Sequence, residues 1–81
     1  MNLKILYFAS ISEAIGITAE NFAPPPEVTT VGGLRDALAR QHPALLKTKN
    51  LRAAVNRKVC GMDADIADGD EIAFFPPVTG G

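Results

Sequence analysis

The sequence has a single cysteine, Cys60. No internal disulfide is possible, which favours a reducing compartment. It also lacks any run of basic residues. Eight lysines and arginines are scattered over 81 residues and the net charge is −1. No stripe exists that could track phosphates, so nucleic acid is not an expected partner. Long hydrophobic runs are missing too. The apolar stretch within Met1 to Ala9 is too short to span a bilayer. No basic n-region or small-residue cleavage pattern goes with it. These absences give the expectation of a cytoplasmic protein with no membrane partner. One histidine is present, His42. It precedes Pro43 in the last turn of an expected helix, where a solvated ring is the ordinary outcome, and it is assigned no chemistry.

Familiar ligand motifs are absent as well. Gly32-Gly33 lacks the G-x-G-x-x-G spacing and the lysine of a phosphate loop, so close packing is the better reading. The acidic cluster Asp63, Asp65, Asp68, Asp70 and Glu71 fails as a calcium loop. Counted from Asp63, the glycine place is held by Asp68 and the bidentate glutamate place by Phe74. These carboxylates are expected to solvate the turn at Asp68-Gly69-Asp70. Cys60 lies in an apolar stretch with no histidine near it in sequence, and reads as a small buried hydrophobe. No acid, base, nucleophile or metal constellation emerges. The expectation is no metal, no bound cofactor and no catalysis by the chain alone.

What is present is one apolar core and one unusual ending. Apolar residues make up 47% of the chain, enough for a globular domain. Residues 1–75 are expected to form that domain and residues 76–81 an extended tail. Leu3 to Ala9 reads as a first strand, with Leu3, Ile5 and Tyr7 on one face and Lys4, Leu6 and Phe8 on the other. Ser10 and Glu13 fit a capping box for a short helix that Gly16 stops. Thr18 to Ala23 reads as a second strand, ended by Pro24-Pro25-Pro26. Thr30 is a suitable N-cap for the main helix, Val31 to Gln41, which carries Val31, Leu34, Ala37 and Leu38 at helical spacing. Pro43 to Asn50 reads as an irregular connection. Leu51 to Asn56 and Lys58 to Cys60 read as strands joined by a turn at Asn56-Arg57.

The last strand, Glu71 to Phe75, places Ile72 and Phe74 on one face and Glu71, Ala73 and Phe75 on the other. Glu71 and Lys4 mark the outward faces. Phe8 and Phe75, with Val59, then share an uncovered side of the sheet if the first and last strands pair. Exposed apolar clusters of that kind mark partner surfaces; burial beneath loops is the alternative. Two strands, a principal helix and three further strands fit an α+β architecture. It is a β-grasp, ubiquitin-like roll: a mixed sheet of about five strands with one main helix on one face.

Pro76 and Pro77 end the last strand, because proline cannot donate to a ladder. They bias Val78, Thr79, Gly80 and Gly81 towards an extended exit reaching at most roughly 20 Å. Gly80 and Gly81 have no side chains, and an α-carboxylate at Gly81 would be ionised at neutral pH. A frayed end or an expression scar also supplies glycine pairs. The Pro-Pro spacer and the aromatic pair before it favour a slim, protruding carboxylate with a function.

The stretch from Asp68 to Gly81, ending Phe-Phe-Pro-Pro-Val-Thr-Gly-Gly, resembles the C-terminus of the small (MoaD) subunits of molybdopterin synthase, in the ubiquitin-like sulfur-carrier superfamily. Lys4 to Ala9, with Glu13 and Gly16, and Ala53-Ala54-Val55-Asn56 are similar to that family as well. The middle, Thr18 to Gln41, matches only in pattern, and Ser12 stands where the family often has arginine. The resemblance implies that Gly81, with Gly80 beside it, is adenylated by an E1-like enzyme using ATP. It is then converted to a thiocarboxylate, a covalent modification and not a bound cofactor. The tail would deliver sulfur to cyclic pyranopterin monophosphate in the large subunit, as part of a heterotetramer. Phe8, Val59, Phe75, Pro76, Pro77, Val78 and Thr79 would be the partner-binding residues. A thiamine-pathway sulfur carrier, a ubiquitin-like protein modifier and a plain binding module with an inert tail are the alternatives.

Overall fold

The computed structural model describes residues 1–77. Val78, Thr79, Gly80 and Gly81 lie outside the described residues. Five strands form one sheet: β1 (Leu3–Tyr7), β2 (Ala19–Phe22), β3 (Arg52–Val55), β4 (Lys58–Cys60) and β5 (Glu71–Phe75). Their spatial order is β2-β1-β5-β3-β4. The two central strands, β1 and β5, are parallel, and the other neighbours are antiparallel. The expected mixed roll is the observed one.

Side-chain alternation decides which face is core. Leu3, Ile5 and Tyr7 of β1 and Ile72 and Phe74 of β5 are no more than 2% exposed. They pack with Ile11, Val31, Leu34, Leu38 and Leu45 from three helices on the same side. These are α1 (Ala9–Ile15), α2 (Val31–Leu38) and α3 (Ala44–Lys47). Helix α2 starts as expected: the Thr30 hydroxyl accepts from Gly33 N–H at 3.2 Å. Gly32 is the close-packing residue. Its N–H donates to the Met62 carbonyl at 2.7 Å, and an added Cβ would stand 3.1 Å from that oxygen.

Four expectations need correction. Helix α1 begins at Ala9, so Ser10 falls inside its first turn, and among the described residues no side chain caps that end. Gly16 does close it, at φ 93°. The connection after Pro43 is not irregular, because Leu45 (1% exposed) anchors the single turn of α3 to the core. The acidic turn does more than meet solvent. Asp68 Oδ1 accepts from Asn2 N–H, and Asp70 accepts from Ala67 N–H and from the Asn56 amide. The first ties the entry to β5 to the start of β1, and the Asn56 bond ties it to the β3–β4 turn.

His42 is the fourth correction. Its Nε2 lies 2.7 Å from Glu20 Oε2, and the ring meets Tyr7 edge-on at 5.6 Å. The Tyr7 hydroxyl donates to the same carboxylate oxygen at 2.6 Å. His42 thus anchors the α2–α3 junction to β1 and β2. Burial first, and then the hydrogen bond to Glu20, push the Tyr7 phenol well above its usual value. Below about pH 10 folded and unfolded chains both keep that proton. Above it the unfolded chain ionises first, so stability falls as pH rises. Tyr7 is the only tyrosine. Its phenolate absorbance is therefore expected to rise together with loss of the circular dichroism of the fold. A phenolate that forms in the folded chain near pH 10 would contradict the buried Tyr7–Glu20 bond.

Candidate functional site: the open face of the sheet

The face of the sheet away from the helices has no covering element among the described residues. Its centre is set by register. Leu6 stands opposite Ala73, Ala73 opposite Ala54, and Ala54 opposite Val59. That row crosses four strands without a polar side chain. Phe8 and Phe75 lie beside it at one end, where β1 and β5 finish. Phe8 N–H still donates to the Phe74 carbonyl, which keeps the ladder intact to that point.

The three aromatic and aliphatic residues expected on this side are there. Phe8 is 49% exposed, Val59 60% exposed, and Phe75 half-buried. With Leu6, Ala54 and Ala73 they line a shallow depression of about 350 Å³, edged by Arg57 and Glu71. Small side chains at Ala54 and Ala73 make its floor, and the larger ones make its walls. Pro76 and Pro77, both half-buried, carry the chain off the end of β5 beside Phe75. Any segment leaving there starts at the rim of this depression. Val78, Thr79, Gly80 and Gly81, expected to continue it, are the positions outside the described residues.

A second depression of similar volume lies on the helix side, lined in part by Phe22, Pro25, Val28 and Arg40. It is away from the chain exit and gathers no catalytic set. Cys60 is half-buried on the core side of β4, its Sγ 3.8 Å from the Ala53 carbonyl. Burial raises its thiol above the usual value, which suits a packing residue better than a nucleophile. Among the described residues no three histidine, cysteine or carboxylate side chains are placed to hold a metal ion. No helix among them is long and apolar enough to cross a membrane. What this face can do is bind another apolar surface at the point where the chain exits.

The profile of the ThiS family matches residues 5–81. This chain belongs to the ThiS family. The molybdopterin synthase sulfur carrier subunit of Escherichia coli K12 is 42% identical to this ThiS-family chain, over 98% of it and 99% of that protein. The protein of the same name from Mycobacterium tuberculosis H37Rv is 33% identical, over 100% and 99%. Among solved structures, SAMP1 of Haloferax volcanii superposes with a TM-score of 0.82 at 29% identity, over the whole of both chains.

Proposed function

We propose that this chain is the sulfur carrier subunit of a molybdopterin synthase. The observation that carries the reading is one juxtaposition. Pro76 and Pro77 lead towards Gly80-Gly81 from the rim of an open apolar face, in a ThiS-family chain 42% identical to such a subunit.

The chemistry follows from the group at the end. A carboxylate is a poor electrophile. An adenylating enzyme of the E1 type would join it to the α-phosphate of ATP, releasing pyrophosphate. A sulfur nucleophile would then displace AMP and leave a thiocarboxylate on Gly81. That sulfur is anionic near neutral pH and can attack a pterin precursor. Hydrolysis of the resulting acyl bond returns the carboxylate. Two such deliveries build a dithiolene on cyclic pyranopterin monophosphate. The carrier contributes a reactive end and a docking face, and acid–base work falls to its partners. Phe8, Val59 and Phe75 would seat the large subunit while residues 76–81 enter its active site.

The test is intact-mass measurement after incubation with the adenylating enzyme, ATP and a sulfur donor, followed by pterin conversion with the large subunit. The expected result is one oxygen-to-sulfur exchange located on Gly81, reversed as the pterin gains sulfur. Exchange without pterin conversion would favour the thiamine-pathway carrier. No exchange would leave an inert binding module. The likeness to SAMP1, a small archaeal modifier protein, keeps a protein-modifier role as the second reading. Attachment of the chain to lysines in the same incubation would favour it.

A further inference from the structure

The turn between β3 and β4 is built on Asn56 and Arg57, at φ 49° and 72°. Two central residues with positive φ define the type I′ hairpin, whose second place strongly prefers glycine. An L side chain there meets the left-handed steric penalty that glycine avoids. Asn56 has a local reason for its place: its side chain donates to Asp70 and accepts from Glu71 N–H. Arg57 has none of that kind. Among the described residues it makes no ion pair, and its side chain edges the apolar depression. The positive φ is what the two-residue turn requires, and Arg57 meets it at a steric cost that glycine would not carry.

Arg57 is not alone. Arg52, exposed, stands opposite Phe75 and shares the parity of Ala54, which puts it on the open face. Lys4 stands opposite Glu71 on the same face. Three cations and one carboxylate give these positions of the open face a charge of +2. The whole chain carries −1, so the remainder carries −3. The open face is therefore positive against a negative remainder.

We propose that Arg57 and Arg52 are docking determinants that recognise a carboxylate-rimmed apolar surface on the large subunit. The inference rests on the functional reading above and specifies the partner's chemistry. Charges at such a rim act mainly on association rate and orientation.

Association kinetics with the purified large subunit, at low and at physiological ionic strength, test it. For the unmodified chain the rate constant is expected to fall steeply as salt rises. Arg57→Gly is expected to raise Tm by a few degrees, because the strain is gone, and to slow association. The double variant R52E/R57E is expected to slow association by about tenfold or more and to flatten the salt dependence, with dissociation little changed. Both arginines are exposed, and circular dichroism verifies the fold of each variant. Salt-independent association of the unmodified chain, or unchanged rates in both variants, overturns the rim while leaving the functional reading in place. A lowered Tm in Arg57→Gly overturns the strain argument. Failure of the unmodified chain to bind the large subunit at all overturns the functional reading and the rim with it.

Discussion

A chain that stops at Gly80 is expected to transfer no sulfur, although it still ends in glycine and still carries a carboxylate. The argument is one of reach. Removing Gly81 draws the acyl carbon back by up to about 3.8 Å. Catalysis by positioning falls by about 10²-fold for a misplacement of about 1 Å, so a full residue takes the reacting carbon out of both active sites it must visit. The fold should not notice. Among the described residues every strand and helix lies within residues 3–75, and the core side chains come from that span. The measurement pairs thermal unfolding with intact mass and pterin conversion. Unchanged unfolding with no thiocarboxylate and no product is the expected pair. A shortened chain that still delivers sulfur would remove the terminal carboxyl from the mechanism. Adding one alanine after Gly81 tests the same point from the other direction, since it moves the carboxylate out without shortening the tail.

Much of this fold is legible because alternation is a local signal. Lys4 and Glu71 each mark a face as outward, and the parity of their strands then assigns Leu6, Phe8, Ala73 and Phe75. The parallel pairing of β1 with β5 sets Lys4 opposite Glu71 and so makes the two parities agree. What escapes a sequence reading depends on partners distant along the chain. His42 is 22 residues from the carboxylate that binds it, and no local pattern announces that Glu20 will point inward from an edge strand. Asp70 looks like one member of a solvated cluster until Asn56, 14 residues away, is seen to donate to it. Helix α3 is a single turn, too short for periodicity to show. The Ser10 capping box is a fair local match that lost to the sharp turn at Ala9, whose φ is 51°.

Neighbouring phenylalanines in β5 provide the sharpest check on the face assignment. Phe74 is fully buried and stacks on Tyr7 with ring centroids 6.4 Å apart. Phe74→Ala is expected to cost about 3–5 kcal/mol. That is a large share of the roughly 5–15 kcal/mol that holds a small domain together, and urea unfolding measures it. Phe75→Glu is expected to behave in the opposite way. Its ring lies on the open face beside Phe8, where a carboxylate can stay hydrated in the free chain, so unfolding should change little. In the complex that carboxylate would be trapped against an apolar surface. Aromatic residues at the centre of an interface contribute about 2–4 kcal/mol when truncated, and a buried unpaired charge adds to the loss. Affinity for the large subunit is therefore expected to fall at least about 30-fold, read by calorimetry or surface binding. The two substitutions separate what folds the chain from what docks it. If Phe75→Glu unfolds the domain, the outer side chains of β5 belong to the core. The sheet would then have no free face for the large subunit to meet.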